Sequence, residues 1–268
     1  MLISFSAQTS EMHMFAILTI ALFTLREAIQ NRLISLVLAS LISLFGLAEF
    51  IGEVAITESA ETKVSILSGA LRFFAVLLTS LFVTMSMLRE QHEKSLDLVL
   101  SLPISRASYF FGRLLGFSGV TIVVAALIGL CLLLYSPSQR VGPWAVSLAC
   151  ELFIVASVSI VCLFTFRQAT LALSSVFGFY VLARTIGSIQ LIGHGPLADP
   201  SAPSQRFISS VIDTLAFLLP DLDRYTSSQW LIYGAPQGSD LVSIIGQTTI
   251  YLALLIGVGL FDLYRKNF

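Results

Sequence analysis

Residues Leu88–Arg113 read LREQHEKSLDLVLSLPISRASYFFGR, and they separate two apolar runs that are each long enough to cross a lipid bilayer. The chain has 15 basic and 16 acidic residues. Seven of them fall in this stretch: Arg89, Glu90, Glu93, Lys94, Asp97, Arg106 and Arg113. Because charge in hydrocarbon is costly, the stretch must lie in water at a membrane face or dock onto another protein.

The composition of the chain is that of a membrane protein with several spans. Of its 268 residues, 56% are hydrophobic and 12% are charged, whereas ordinary soluble domains contain about 25% charged residues. The mean hydropathy is +0.89. A net charge of −1 gives no reason to expect nucleic acid as a partner.

Six apolar runs reach the roughly 20 residues that a transmembrane helix needs. They cover residues 33–51, 65–88, 108–134, 144–166, 169–192 and 241–264. We find no internal repeat or low-complexity tract, and therefore predict an all-α integral membrane protein with a single transmembrane domain over residues 1–268.

The N-terminal region has an apolar stretch, Met12–Leu25, that is too short to span comfortably. Beyond it, Leu25, Ile29 and Leu33 recur every four residues opposite polar side chains, which is typical of an amphipathic helix. We expect an interfacial helix over residues 12–32. A longer, tilted first span is the alternative.

The longest connection covers residues 193–240 and contains five of the eight prolines. Between them lie two apolar segments, Phe207–Leu219 and Tyr225–Tyr233, that are too short to cross a bilayer. We expect short re-entrant or interfacial helices before the last span.

The distribution of Lys and Arg indicates the orientation of the chain in the membrane. Nine of these residues lie on the side of the two termini and four on the opposite side. Both termini and residues 88–106 are therefore predicted to be cytoplasmic, and residues 193–240 extracytoplasmic.

Residues 88–106, which we name the coupling segment, contain a short amphipathic pattern that Pro103 ends. Leu96, Val99 and Leu100 provide an apolar side, while Glu93 and Asp97 share a face at i,i+4. Arg106 and Arg113 bracket the start of the next span, where we expect them to anchor to lipid phosphates.

The residues from Arg89 to Arg106, followed by Tyr109 and Gly112-Arg113, resemble a segment found after the second span in permeases of the type-2 (type V) ABC exporter family. The Leu-Arg-Glu-Ala element at Leu25–Ala28 is similar to one in the N-terminal helix of the same family. Within the family, the chain looks most similar to permeases grouped with multicopper-enzyme maturation.

This resemblance implies a non-catalytic half-transporter in a bacterial inner membrane. A second permease chain, identical or different, would complete the pathway, and two ABC ATPase chains would dock on the coupling segments. An extracytoplasmic accessory protein is a further expected partner. The resemblance places ATPase docking on Glu90, Glu93, Lys94, Leu96, Asp97 and Leu100.

The sequence agrees with the expectation that a separate chain hydrolyses ATP. The sequence has no GxxxxGK[ST] phosphate-binding loop, and its lysines are Lys63, Lys94 and Lys266. ATP and Mg²⁺ are therefore expected on the partner ATPase, with no cofactor or metal bound by this chain. The direction of transport and the substrate are left open.

Four ionisable residues lie within apolar runs: Glu49, Arg72, Glu151 and Arg184. Charges at such depth should face the bundle interior, a partner or water. Two acids and two bases favour ion pairs that fix helix packing. The alternative is that these side chains form a polar lining of the exit path for a substrate.

Gly112 and Gly116 form a GxxxG pattern that favours close helix packing.

Two other classes of protein compete with a transporter subunit. One is an intramembrane enzyme resembling a protease or acyltransferase, for which His194 is the only histidine near a span and no serine has the Gly-x-Ser-x-Gly setting. The other is a membrane assembly protein that transmits force and passes no substrate. Co-purification with an ATPase would distinguish the three.

Overall fold

A computed structural model describes residues 2–54, 59–92, 106–166, 168–193, 203–236 and 238–265, and these residues contain helices and no strand. The helices are α1 (Leu2–Gln30), α2 (Leu33–Val54), α3 (Ser59–His92), α4 (Arg106–Leu132), α5 (Ser138–Phe166), α6 (Ala169–Gly193), α7 (Pro203–Leu218), a 3-10 helix (Leu222–Arg224), α8 (Ser228–Ile232) and α9 (Gly238–Arg265).

Six of the described helices are long and apolar enough to cross a membrane, which confirms the predicted all-α class and its six spans. The spanning stretches are Leu33–Phe50, Glu61–Glu90, Arg106–Leu132, Ser138–Phe166, Ala169–Ile192 and Gly238–Arg265. α1 begins at Leu2, ten residues before the start predicted for the N-terminal helix. Its position in the membrane interface stays a prediction.

Helix α5 is the centre of the bundle and packs against α3, α4, α6 and α9. Of its 29 residues 16 are buried, whereas only four of the 28 residues of α9 are. Small residues such as Ala156, Ser157 and Ser159 lie buried in α5 and allow neighbouring helices to approach closely. The outward face of α9 exposes large apolar side chains, including Leu254 and Phe261, as a lipid-facing or partner-facing helix does.

Helix α1 packs along α4 through the predicted GxxxG pattern. A Cβ atom added at Gly116 would lie 2.5 Å from Cβ of Thr24, and one added at Gly112 would lie 2.9 Å from Cβ of Ile20. The two glycines are therefore required for this close approach. After Gln30 the chain turns at Arg32, which has a left-handed φ of 60°, and continues into α2.

The long connection before α9 folds back onto the end of the bundle where α3 begins. α7 lies against α6, while α8 lies against α3 and α5. Two hydrogen bonds hold α8 to the α4–α5 turn and to the first turn of α5: the Ser136 hydroxyl donates to the Leu231 carbonyl at 2.8 Å, and Arg140 Nη1 donates to the Ile232 carbonyl at 2.8 Å. The coupling segment follows the other end of α3, so the two connections lie at opposite ends of that helix.

Candidate functional site

An ionic cluster centred on a buried arginine joins three helices at the end of the bundle that adjoins the coupling segment. Arg113 of α4 lies between Glu27 of α1 and Glu90 of α3, with its Nη1 3.2 Å from Glu27 Oε2 and its Nη2 2.5 Å from Glu90 Oε2. Arg113 is only 3% exposed. We name Glu27, Glu90, Tyr109 and Arg113 the base cluster.

A neutral side chain also donates a hydrogen bond to each carboxylate. The Ser86 hydroxyl donates to Glu27 Oε1 at 2.8 Å, and the Tyr109 hydroxyl donates to Glu90 Oε2 at 2.7 Å. Arg113 also donates to the Thr24 hydroxyl at 2.9 Å. The Nη atoms of Arg113 are thus held by three side chains, while its buried Nε has no hydrogen-bond partner among the described residues. Charge-assisted contacts of this kind restrict the relative motion of the helices that they join. The base cluster therefore fixes α1, α3 and α4 relative to one another.

The expectation that Arg113 anchors to lipid phosphates is wrong, because its guanidinium is buried between two carboxylates. Arg106, expected in the same role, donates from Nη1 to the Leu263 carbonyl of α9 at 3.2 Å. Sequence reasoning could not choose between lipid and protein partners, since a basic residue at the end of a span suits either.

Of the six residues predicted to dock the ATPase, Glu90 is the one that the structure describes. Its carboxylate belongs to the base cluster. The other five lie outside the described residues: Glu93, Lys94, Leu96, Asp97 and Leu100. α3 ends at His92 and α4 begins at Arg106. The coupling segment is thus bounded by two helices that the base cluster holds together.

A second polar cluster lies at the opposite end of the bundle, around Glu151 of α5. This carboxylate is completely buried. It accepts hydrogen bonds from the Thr226 hydroxyl at 2.6 Å and from the Tyr180 hydroxyl at 3.0 Å. Arg184 Nη1 lies 3.7 Å from Glu151 Oε1 and forms an ion pair with it. We name these four residues the far cluster.

The far cluster holds the turn between the 3-10 helix and α8. Arg184 donates to the main-chain carbonyls of Leu222 and Tyr225, and the Thr226 main-chain N–H donates to the Ser147 hydroxyl at 3.0 Å. Thr226 has a left-handed φ of 48°, which is unfavourable for a β-branched residue and is held by these contacts. The turn is therefore fastened to α5 and α6.

Tyr225 extends the anchoring of this turn to the last helix. Its hydroxyl donates to the Ile244 carbonyl of α9 at 3.1 Å and lies 3.0 Å from the Thr248 hydroxyl. Burial raises the pKa of the Tyr225 phenol to about 12, so the hydroxyl keeps its proton at neutral pH and remains a donor.

Of the four charged residues predicted within spans, Arg72, Glu151 and Arg184 lie together around the far cluster. Glu49 has other partners. Arg72 of α3 donates from Nη1 to the Thr226 carbonyl at 3.3 Å and lies within the same group as Glu151 and Arg184. Glu49 pairs with Lys63 at 2.8 Å. The Tyr135 hydroxyl also donates to Glu49. The expected pairing of two acids with two bases is thus realised once, between Glu151 and Arg184.

Beside the far cluster lies a polar cavity of about 580 Å³, which we name the arginine cavity. Its walls include Arg72, Arg184, Arg224, Asp223, Asp240 and Trp230. A second cavity of about 540 Å³ adjoins the base cluster and is lined by α1, α3 and α4. In the part of the chain that the structure describes, no group of three His, Cys, Asp or Glu side chains is placed to hold a metal ion.

Sequence reasoning missed Glu27, Tyr109, Tyr180 and Thr226 as partners of the buried charges. A signal was present for the base cluster, because Ser86 and Glu90, like Tyr109 and Arg113, are four residues apart and share a helix face. No sequence pattern indicated the far cluster, because Thr226 and Glu151 are 75 residues apart in the chain.

Comparison with known proteins agrees with this architecture. A family model described as ABC-2 family transporter protein matches residues 21–261. The chain belongs to this family and is an integral membrane protein. Members generally act as the non-catalytic membrane component, work with an ATPase subunit and form dimers. No curated protein sequence matches the chain. The grouping with multicopper-enzyme maturation stays a prediction.

Proposed function

We propose that this chain is the permease subunit of an ABC transporter and that a separate ATPase drives it through the coupling segment. Hydrolysis on the ATPase would move α3 and α4 and so export a substrate or deliver it to the extracytoplasmic side. Two copies of the chain, or this chain and a related one, would form the pathway. Family membership supports the permease assignment.

The observation that carries this proposal is the position of the base cluster. It joins α3 and α4 close to the coupling segment, and it includes α1 as well. A displacement of the coupling segment would therefore reach three helices as a unit, because separating the partners of a buried ion pair is costly. A loop between independently mobile helices would transmit much less of the same displacement.

Charge bias supports the cytoplasmic location that docking needs. With both termini in the cytoplasm, nine Lys and Arg residues lie on that side against four on the other. The coupling segment would then be exposed to the compartment that supplies ATP. The proposed location is the bacterial inner membrane.

The test is purification of the tagged chain from native membranes in a mild detergent. We expect an ATPase with a phosphate-binding loop to co-purify in stoichiometric amount. The double variant Glu93→Arg with Asp97→Arg reverses two charges on the predicted docking face. It should assemble and purify normally without the ATPase.

The matched control is Glu58→Arg with Glu61→Arg, which makes the same change in charge near the opposite end of α3. This control should retain the ATPase. Recovery of the wild-type chain without any ATPase would contradict the proposal and favour an intramembrane enzyme. Equal ATPase recovery by the two double variants would exclude the coupling segment as the docking site.

A further inference from the structure

We propose that the arginine cavity binds an oxyanion, such as the phosphate of a lipid headgroup or a free phosphate ion. This inference goes beyond the permease assignment, because it names a ligand chemistry for one site of the chain alone. It does not depend on an ATPase, and its test uses the isolated chain.

The first argument is the environment of Arg72. Within the described residues no carboxylate lies within the 4.0 Å ion-pair distance of its guanidinium. Its bonds to Thr226 are long, at 3.3 Å to the carbonyl and 3.5 Å to the hydroxyl, and its buried Nε has no hydrogen-bond partner. A cation within a span costs several kcal/mol unless it is satisfied. Arg72 is therefore incompletely compensated by the protein.

The second argument is the balance of charge around the cavity. Arg72 and Arg184 both line the cavity, and the buried carboxylate near them is Glu151. Glu151 already accepts bonds from Thr226 and Tyr180. Arg184 pairs with Glu151, which is already largely occupied, and with Asp223 at the rim, whereas Arg72 pairs with neither carboxylate. An anion in the cavity would compensate the excess positive charge.

The rim of the cavity is more nearly balanced. Arg224 pairs with Asp221 at 2.7 Å, and Asp223 lies 3.9 Å from Arg184 Nε. Asp223, Arg224 and Asp240 are exposed, so water screens their charges. The positive excess is therefore strongest in the interior, beside Arg72.

The geometry of guanidinium favours an oxyanion over other anions. Its planar arrangement of N–H groups matches two oxygen atoms of a phosphate or carboxylate. A cavity of about 580 Å³ has room for a phosphate together with part of a polar headgroup. Ser227, Ser228 and Gln229 also line it and offer neutral hydrogen-bonding groups.

The site has a built-in optical probe. The chain has two tryptophans, of which Trp230 lines the cavity and Trp144 is fully buried in α5. Binding can be followed by the fluorescence of the isolated chain in a maltoside detergent, which carries no phosphate. One titration uses inorganic phosphate, and a second uses a short-chain phosphatidylglycerol with the phosphate-free glycerolipid of the same chains as its comparison.

We expect saturable binding of at least one phosphate-bearing ligand and none of the phosphate-free lipid. Arg72→Gln should weaken binding on the order of 10- to 100-fold, the range for losing a hydrogen-bonded charge. Arg206→Gln, which removes an exposed arginine from α7, should leave it unchanged. Binding of phosphatidylglycerol alone identifies a lipid headgroup as the ligand, whereas binding of both identifies any accessible phosphate.

The inference is overturned if neither ligand binds saturably, or if the two variants weaken binding equally. Should Arg72→Gln fail to fold, Arg72→Lys keeps the charge and loses the paired N–H geometry. That variant should bind several-fold more weakly, and an unchanged affinity would count against the site. None of these results bears on ATPase co-purification, so the two proposals can fail separately.

Discussion

Arg113 illustrates how one buried charge can organise an end of this bundle. Its guanidinium contacts carboxylates from two other helices and the Thr24 hydroxyl. Removing Arg113 would leave two partly buried carboxylates without a compensating cation, which costs more than the intact group contributes.

We predict that Arg113→Gln lowers the free energy of unfolding by about 3 kcal/mol, the scale for breaking a buried ion pair. Glu27 and Glu90 would then repel each other without an intervening cation. The measurement is the unfolding midpoint in detergent. Arg206→Gln, on the exposed face of α7, serves as the control and should change stability by less than about 0.5 kcal/mol. Equal stability of the two variants would show that the base cluster is not a structural unit.

The buried carboxylate of Glu151 leads to a different prediction. Glu151→Gln keeps the shape of the side chain but removes the charge that Arg184 and the Thr226 hydroxyl contact. The turn between the 3-10 helix and α8 should loosen, and trypsin should cleave faster after the exposed Arg224.

Glu49→Gln is the matched control, because Glu49 pairs with Lys63 and belongs neither to the far cluster nor to this turn. Cleavage after Arg224 should stay at the wild-type rate in this variant. If Glu151→Gln abolished transport while cleavage remained slow, Glu151 would line a pathway rather than fasten the turn.

At the level of helices, the close contact between α1 and α4 depends on Gly116. A methyl group there would lie 2.5 Å from Cβ of Thr24, whereas at Gly119 the nearest atom, Leu25 Cδ1, would be 3.7 Å away. Both changes to alanine gain the same helix propensity. The difference in the free energy of unfolding between Gly116→Ala and Gly119→Ala therefore measures packing alone.

We predict that Gly116→Ala is less stable than Gly119→Ala by about 1–3 kcal/mol, the usual cost of overpacking. Thr24 would have to shift, and it accepts a hydrogen bond from Arg113, so the base cluster would be disturbed as well. Unfolding midpoints of the two variants in one detergent provide the comparison. Identical midpoints would mean that α1 is held to α4 by other contacts.

The helices themselves could be predicted closely from the sequence. The thickness of the hydrocarbon fixes the length of a span, so apolar runs such as residues 169–192 mark a helix with little ambiguity. The extent of α1 was less predictable. Its first residues carry no long apolar run, yet the helix begins at Leu2.

The contacts between helices were much harder to predict. Arg113 lies 86 residues from Glu27, and Ser86 lies 59 residues from it, so sequence spacing gives no register between them. The pairing of Glu49 with Lys63 joins α2 to the start of α3 across a short connection. The apolar pattern does not predict this pair, because Lys63 lies outside the apolar run of residues 65–88.

For the whole molecule, the charge bias predicts which side each connection faces. In a background with Cys131, Cys150 and Cys162 replaced by alanine, Ser101→Cys tests the coupling segment and Ser239→Cys tests the start of α9. A membrane-impermeant maleimide applied to intact cells should label Ser239→Cys only. Ser101→Cys should react after the membrane is permeabilised. The reverse pattern would place the coupling segment outside and remove its access to ATP.

The most direct measurement is ATP hydrolysis by the reconstituted complex in lipid nanodiscs. We predict that the wild-type chain stimulates the ATPase, whereas Glu93→Arg with Asp97→Arg leaves the rate at that of the ATPase alone. Glu58→Arg with Glu61→Arg should stimulate as the wild type does. Full stimulation by the first double variant would contradict the central claim that an ATPase drives this permease through residues 88–106.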